Sequence, residues 1–240
     1  IDFEDFERKI VDNNIKVFIL CNPHNPVGRV WKKEELQKIG DICLKYNVLI
    51  ISDEIHSDLI FKEHSFTSFL TLGEKYWNNL FVCTAPSKTF NLAGVQTSII
   101  LIPNNELKTK YQNSLGKVRI ENPNTFGIEG VKAGYLYGEE WLEQVIDYLD
   151  KNRKFIKEFL EKNIPTAKYY LPEGTYLAWI NLKDSLNGEN MEKFFEEKAK
   201  VAIDYGTWFG PEGEGYIRLN FACPKSILEE ALTRIANNLK

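Results

Sequence analysis

The sequence predicts an α/β protein in which a mainly parallel sheet occupies the first part of the chain and a compact α+β lobe closes it. Short apolar runs at residues 16–21, 48–52 and 80–83 predict the sheet, because the first two are joined through a stretch of helical periodicity and turn formers bound them. Each run ends in a polar, small-residue loop. Beyond Pro165 the pattern changes to short strands and a pair of helices, which predicts the second lobe.

Phe3, Phe6 and Ile10 recur at helical spacing, so the chain opens with an amphipathic helix. Residues 16–21 (KVFILC) are a continuous apolar run, the pattern of a strand covered on both faces. The loop 22–28 contains two prolines and a glycine and must be a rigid turn. Leu36, Ile39, Cys43 and Tyr46 share one face of residues 32–46, an amphipathic crossover helix leading to the strand at 48–52. Strand, helix and strand with short connections make a parallel sheet, and such sheets bind ligands beyond the carboxyl ends of their strands. The strand at 80–83 is followed by a small-residue loop to Gly94 and a further strand at 95–102.

Residues 107–118 read as a helix and 122–127 as a loop. Trp141, Leu142, Val145, Ile146, Leu149, Ile156 and Leu160 form one long apolar stripe, expected of a helix linking a large domain, residues 1–140, to a smaller one begun by that helix, residues 141–240. The lobe then holds strands at 175–182, 201–205 and 216–221, a helix around 189–200 and a closing helix that starts near 224–226. The glycine-rich turn 210–215 has strands on both sides and reads as a hairpin connection rather than a phosphate loop.

With 240 residues and 43% hydrophobic content the chain can bury a sizeable core. A net charge of -4 without a basic stripe argues against nucleic acid as the main ligand. The apolar runs are far too short to span a bilayer and no signal peptide opens the chain, so the expected placement is soluble and cytoplasmic. Cys21, Cys43, Cys83 and Cys223 are widely spaced with no C-x-x-C pair, the pattern of buried free thiols rather than of a metal site or a disulfide framework.

The loops past the strands carry the chemistry. Lys88 lies just beyond a buried run, in LFVCTAPSKTFNLAG (residues 80–94). Desolvation there favours the neutral amine, which makes it a nucleophile toward carbonyl carbon. Asp53 follows VLII directly, and a carboxylate so placed must be paired or hydrogen-bonded to stay ionised; a helix N-cap is the plain alternative. Alternation along YIRLNFAC sets Ile217 and Leu219 on one face and Arg218 on the other, where its guanidinium fork suits a planar carboxylate.

Asn25 in CNPHNPVGRVW, Asp53 in SDEIHSDL, Lys88 in SKTFN and Arg218 in YIRLNFACP, in this order, resemble the fold-type I pyridoxal phosphate enzymes of the aminotransferase class I/II superfamily. DEIHSDL and SKTFN look most like its cystathionine beta-lyase, or carbon-sulfur lyase, branch, and Gln96 departs from the aspartate type, which has an arginine near that position. The resemblance covers essentially the whole chain. It implies that the chain is a remnant of the large domain of a PLP-dependent transferase fold with its small domain attached. The opening at Ile1 rather than Met reads as an N-terminal truncation, because family members are longer.

The resemblance implies that Lys88 bonds pyridoxal 5'-phosphate and later moves the substrate's α-proton. It implies that Asp53 faces the ring nitrogen, Asn25 and His56 the ring oxygen, Ser87 the phosphate, and Arg218 the α-carboxylate of a small amino acid substrate; His56 has a purely structural role as its alternative. It further implies a homodimer for the full-length protein and an incomplete site with weak or absent cofactor in a fragment. An aminotransferase on the same scaffold is the alternative activity, and a transcriptional regulator fused to a winged helix is the remote one.

Overall fold

The computed structural model describes residues 1–120 and 122–239. It divides into two compact units, Ile1–His24 with Val30–Glu143, and Asn25–Arg29 with Gln144–Lys240. The first contains α1 (Phe3–Asp12), β1 (Val17–Cys21), α2 (Lys33–Lys45), β2 (Leu49–Asp53), β3 (Leu80–Thr84), α3 (Pro86–Thr89), β4 (Ile99–Leu101), α4 (Asn105–Val118) and α5 (Thr125–Tyr137). The chain passes to the second unit within α6 (Glu139–Asn163).

β1, β2 and β3 pair in parallel in that order, and β4 joins β3 antiparallel. α2 forms because Leu36, Ile39 and Cys43 make one stripe, and it buries them with Val48, Ile50, Phe69, Tyr76, Leu80 and Val82. The cluster also takes in Leu20 of β1, and at about 1.5–3 kcal/mol for each fully buried aliphatic or aromatic side chain it holds α2 against the three parallel strands. The Glu35 carboxylate accepts from the Lys32 backbone N–H at 2.9 Å and closes the first turn of α2.

Several sequence expectations change in the first unit. β1 is an outer strand with Ile19 66% exposed and Val17 46% exposed, so its apolar run is not covered on both faces by the described residues. The segment after β3 is not all loop: Pro86 at the first helical position, where its missing N–H costs nothing, starts the one-turn helix α3. The strand expected at 95–102 shortens to Ile99–Leu101, because a 3-10 turn occupies Ala93–Val95 and Gln96 is left-handed at φ 48°. The loop expected at 122–127 ends where Asn124 caps α5, its side chain accepting from the Gly127 N–H at 2.8 Å. Glycines 127, 130 and 134 had obscured that helix.

The second unit contains β5 (Lys168–Tyr169), β6 (Leu177–Asn181), α7 (Lys183–Leu186), α8 (Met191–Lys193), β7 (Asp204–Tyr205), β8 (Tyr216–Asn220) and α9 (Lys225–Asn238). Its sheet runs β5-β6-β8-β7, antiparallel throughout. α8 continues as a π-helix over Phe194–Ala199, which lets the adjacent Phe194 and Phe195 both reach the core. α9 buries Leu228, Leu232, Ile235 and Ala236, and α6 buries Leu149, Ile156 and Leu160. The glycine-rich turn does connect two antiparallel strands, β7 and β8. The four cysteines are free thiols, but only Cys43 is fully buried; the others are half-buried. Among the described residues no helix is long and apolar enough to cross a membrane.

Candidate active site

Parallel pairing sets the carboxyl ends of β1, β2 and β3 side by side, with Cys21, Asp53 and Cys83 in register. The chain leaves each strand with a different task. After β1, the fully buried Asn22 accepts from the Trp31 backbone N–H at 3.1 Å and donates to the Thr67 carbonyl at 3.2 Å, so the first asparagine of NPHNP is structural. After β2, Asp53 is half-buried and its Oδ1 accepts from the Ile55 N–H at 3.2 Å. Asp53 therefore caps its own turn rather than a helix. After β3, α3 carries Ser87 and Lys88, both half-buried.

Burial pushes the Asp53 carboxyl above the usual range, opposed by the Ile55 N–H and by the positive charge of Lys88. The two groups are thus electrostatic partners. His56 is 2% exposed, in a turn where its carbonyl accepts from the Leu59 N–H at 2.9 Å. Asp53, His56, Ser87 and Lys88 all belong to the first unit.

Asn25 and Arg218 form a second group, within the other unit. On β8, Ile217 and Leu219 point into the core and Arg218 to the opposite face, as the alternation required. Arg218 donates from Nε and Nη2 to Asp204 Oδ2, at 2.9 and 2.6 Å, and from Nη1 to Asn25 Oδ1 at 2.8 Å. Its guanidinium lies 4.8 Å over the Phe209 ring. A guanidinium has five N–H groups and these bonds use three, which leaves one on each terminal nitrogen without a partner among the described residues and able to donate to a carboxylate. Since Arg218 can only donate, the Asn25 carbonyl oxygen must face it, and the amide N–H groups point the other way. The loop around Asn25 is fixed by Gly28 at φ +77°, where an added Cβ would come within 2.4 Å of the Pro172 side chain.

The family model for aminotransferase class I and II matches residues 1–235. The chain belongs to the aminotransferase class I and II family. Within that family it is 40% identical to the cystathionine beta-lyase PatB of Bacillus subtilis over 98% of this chain and 61% of the relative. It is similar in structure to cystalysin of Treponema denticola, which contains a pyridoxal 5'-phosphate cofactor, with a TM-score of 0.96 at 41% identity over 100% of this chain and 61% of that one. A PLP-bound C-S lyase of Staphylococcus hominis matches with a TM-score of 0.91 at 36% identity, over 100% of this chain and 62% of that one. The chain spans about three fifths of the length of these relatives.

Sequence reasoning passed over Glu54, the most deeply buried carboxylate beside the site at 4% exposed. Its Oε1 accepts from the Phe69 N–H at 2.8 Å and the Ser52 hydroxyl at 2.9 Å. Burial nevertheless raises its carboxyl above the ordinary range, with the neighbouring Asp53 adding to the rise and the hydrogen bonds opposing it. The folded state therefore holds this proton more tightly than the unfolded chain. The associated stability is fully present below the ordinary glutamate range and is lost as pH rises through the raised folded value. Glu54→Gln removes that slope, at most about 1.4 kcal/mol per pH unit for one proton. Urea unfolding of both proteins across the acid range checks this, and identical slopes refute it.

Proposed function

We propose that this chain serves a pyridoxal 5'-phosphate-dependent carbon-sulfur β-lyase of the cystathionine beta-lyase kind. The enzyme cleaves a β-substituted amino acid to pyruvate, ammonia and a thiol. The observation that carries the reading is a half-buried Asp53 at the end of β2, its carboxyl raised by burial and drawn down by the charge of Lys88, which follows the adjacent parallel strand β3. That donor set suits a ring bearing a protonated nitrogen at one end and an aldehyde carbon at the other. Similarity to PatB and to the C-S lyases points the same way.

When bound, pyridoxal 5'-phosphate supplies an electron sink for the pair released at the substrate α-carbon. Asp53 would hold the ring nitrogen and stabilise positive charge there, and its half-buried position would strengthen that interaction. The Lys88 amine takes the α-proton as general base. The electron pair of that C–H bond becomes the bond between the α- and β-carbons as the C–S bond breaks and the thiolate departs. Hydrolysis of the resulting enamine gives pyruvate and ammonia. Arg218 holds the α-carboxylate through its two remaining N–H groups, which fixes the orientation of the C–H bond to be broken. Asn25 and His56 would hold the ring oxygen and Ser87 the phosphate.

The enzyme is read as a cytoplasmic homodimer. Free thiols support a reducing compartment, and the exposed side chains of Phe126, Leu136 and Tyr137 on α5 support self-association. Proton removal by the same lysine also precedes transamination, so products decide between lyase and aminotransferase. The intact protein given cystathionine should release pyruvate and ammonia with no keto-acid acceptor present; strict dependence on an acceptor would exclude the lyase.

A further inference from the structure

A one-turn helix has almost no stability of its own, because nucleation fixes several residues for a single hydrogen bond. α3 is such a helix. Its turn is closed by local backbone bonds, Phe90 N–H donating to the Pro86 carbonyl at 2.9 Å and Leu92 N–H to the Ser87 carbonyl at 3.0 Å. Something outside the turn must hold Lys88 in place.

The residue after Lys88 provides the tie. Thr89 is 2% exposed, and its hydroxyl donates to Asp58 Oδ2 at 2.7 Å. Asp58 lies five residues beyond Asp53 on the turn leaving β2, so this bond joins the segment that carries Asp53 to the helix that carries Lys88. Successive residues of a helix are about 100° apart around its axis. Locking Thr89 toward Asp58 therefore also sets the direction in which Lys88 leaves the helix.

A second contact holds the other end. Phe90 packs edge-on against Tyr135 with centroids 5.7 Å apart and lies beside Trp141 at 5.9 Å. An added Cβ at Gly134 or Gly138 would come within 2.6 or 2.4 Å of the Phe90 ring, so those glycines leave the space the ring fills. The Tyr135 phenol is raised by burial and, further, by the Asp58 charge, which places the phenol, the carboxylate and the threonine in one cluster.

We propose that Asp58, acting through Thr89, is a positioning residue for Lys88. It fixes the lysine relative to Asp53 without touching substrate or cofactor. The inference rests on the reading of Lys88 as the cofactor lysine, and the two are separable by experiment.

The test uses the intact protein exposed to pyridoxal 5'-phosphate, then borohydride, with the adduct located by peptide mass spectrometry and thermal unfolding recorded on the same samples. Thr89→Val keeps the shape and removes the donor, whereas Thr89→Ser restores it. The expected result is an initial rate of adduct formation at Lys88 lowered about tenfold in Thr89→Val, per folded molecule, and within about twofold of wild type in Thr89→Ser. Asp58→Asn, which replaces a charged acceptor by a neutral one, should lower it by a smaller factor and carries the comparison if Thr89→Val does not fold. A wild-type rate in both variants, or a loss that only follows the folded fraction, would overturn the positioning role. Absence of a Lys88 adduct in the wild-type protein would instead overturn the reading of Lys88, and the inference with it.

Discussion

On the proposed lyase reading, Lys88→Ala should lower pyruvate release from cystathionine by at least about 10³-fold in the intact protein, because it would remove both the group that bonds the cofactor and the base that takes the α-proton. Lys88→Arg should be equally inactive. Arginine keeps the positive charge that favours an ionised Asp53, but it does not give up its proton and so cannot act as the base. The pair of variants separates proton transfer from charge. Thermal unfolding should stay close to wild type in Lys88→Arg, since Lys88 is only half-buried. Activity above about 1% of wild type in either variant would remove Lys88 from the mechanism, because the remaining contribution would fall below the range of acid-base catalysis.

The second large effect is expected at Arg218. Arg218→Ala should lower kcat/KM for an amino acid substrate by about 10²-fold or more, through loss of the bidentate donor pair. Much of the loss should appear in KM. Stability should fall by only about 1 kcal/mol or less, because the Asp204 partner left behind is 37% exposed and can be solvated. Steady-state kinetics with an amino acid, set beside binding of the same amine without its α-carboxylate, checks the assignment. Only the first should respond to the substitution, and an equal response of both would show that Arg218 acts on the fold rather than on a carboxylate.

The apolar stripe of α2 and the alternation of β8 were readable in advance because each follows from a single period, and the burial of Leu36, Ile39, Cys43, Ile217 and Leu219 agrees with it. Local glycine content hid α5, and a proline that begins a helix as easily as it ends one hid α3. The apolar run of β1 gave no sign that Val17 and Ile19 stay exposed, because hydrophobic pattern reports what can be buried and not what neighbour is present. For the site, the types and order of Asn25, Asp53, Lys88 and Arg218 were visible. The cluster of Asp58, Thr89 and Tyr135 was not, because it joins residues 31 or more apart through one hydroxyl and one phenol.

By itself the sequence determined the α/β class, the parallel strands and the positions at which polar residues leave them, all of which are local patterns of period and punctuation. Only the tertiary structure decided which charges act on one another. It set Lys88 against a raised Asp53, turned Arg218 onto Asp204 and Asn25, and tied the lysine's helix to Asp58. Electrostatic and hydrogen-bond energies depend on distance and burial in space, and separation along the chain fixes neither.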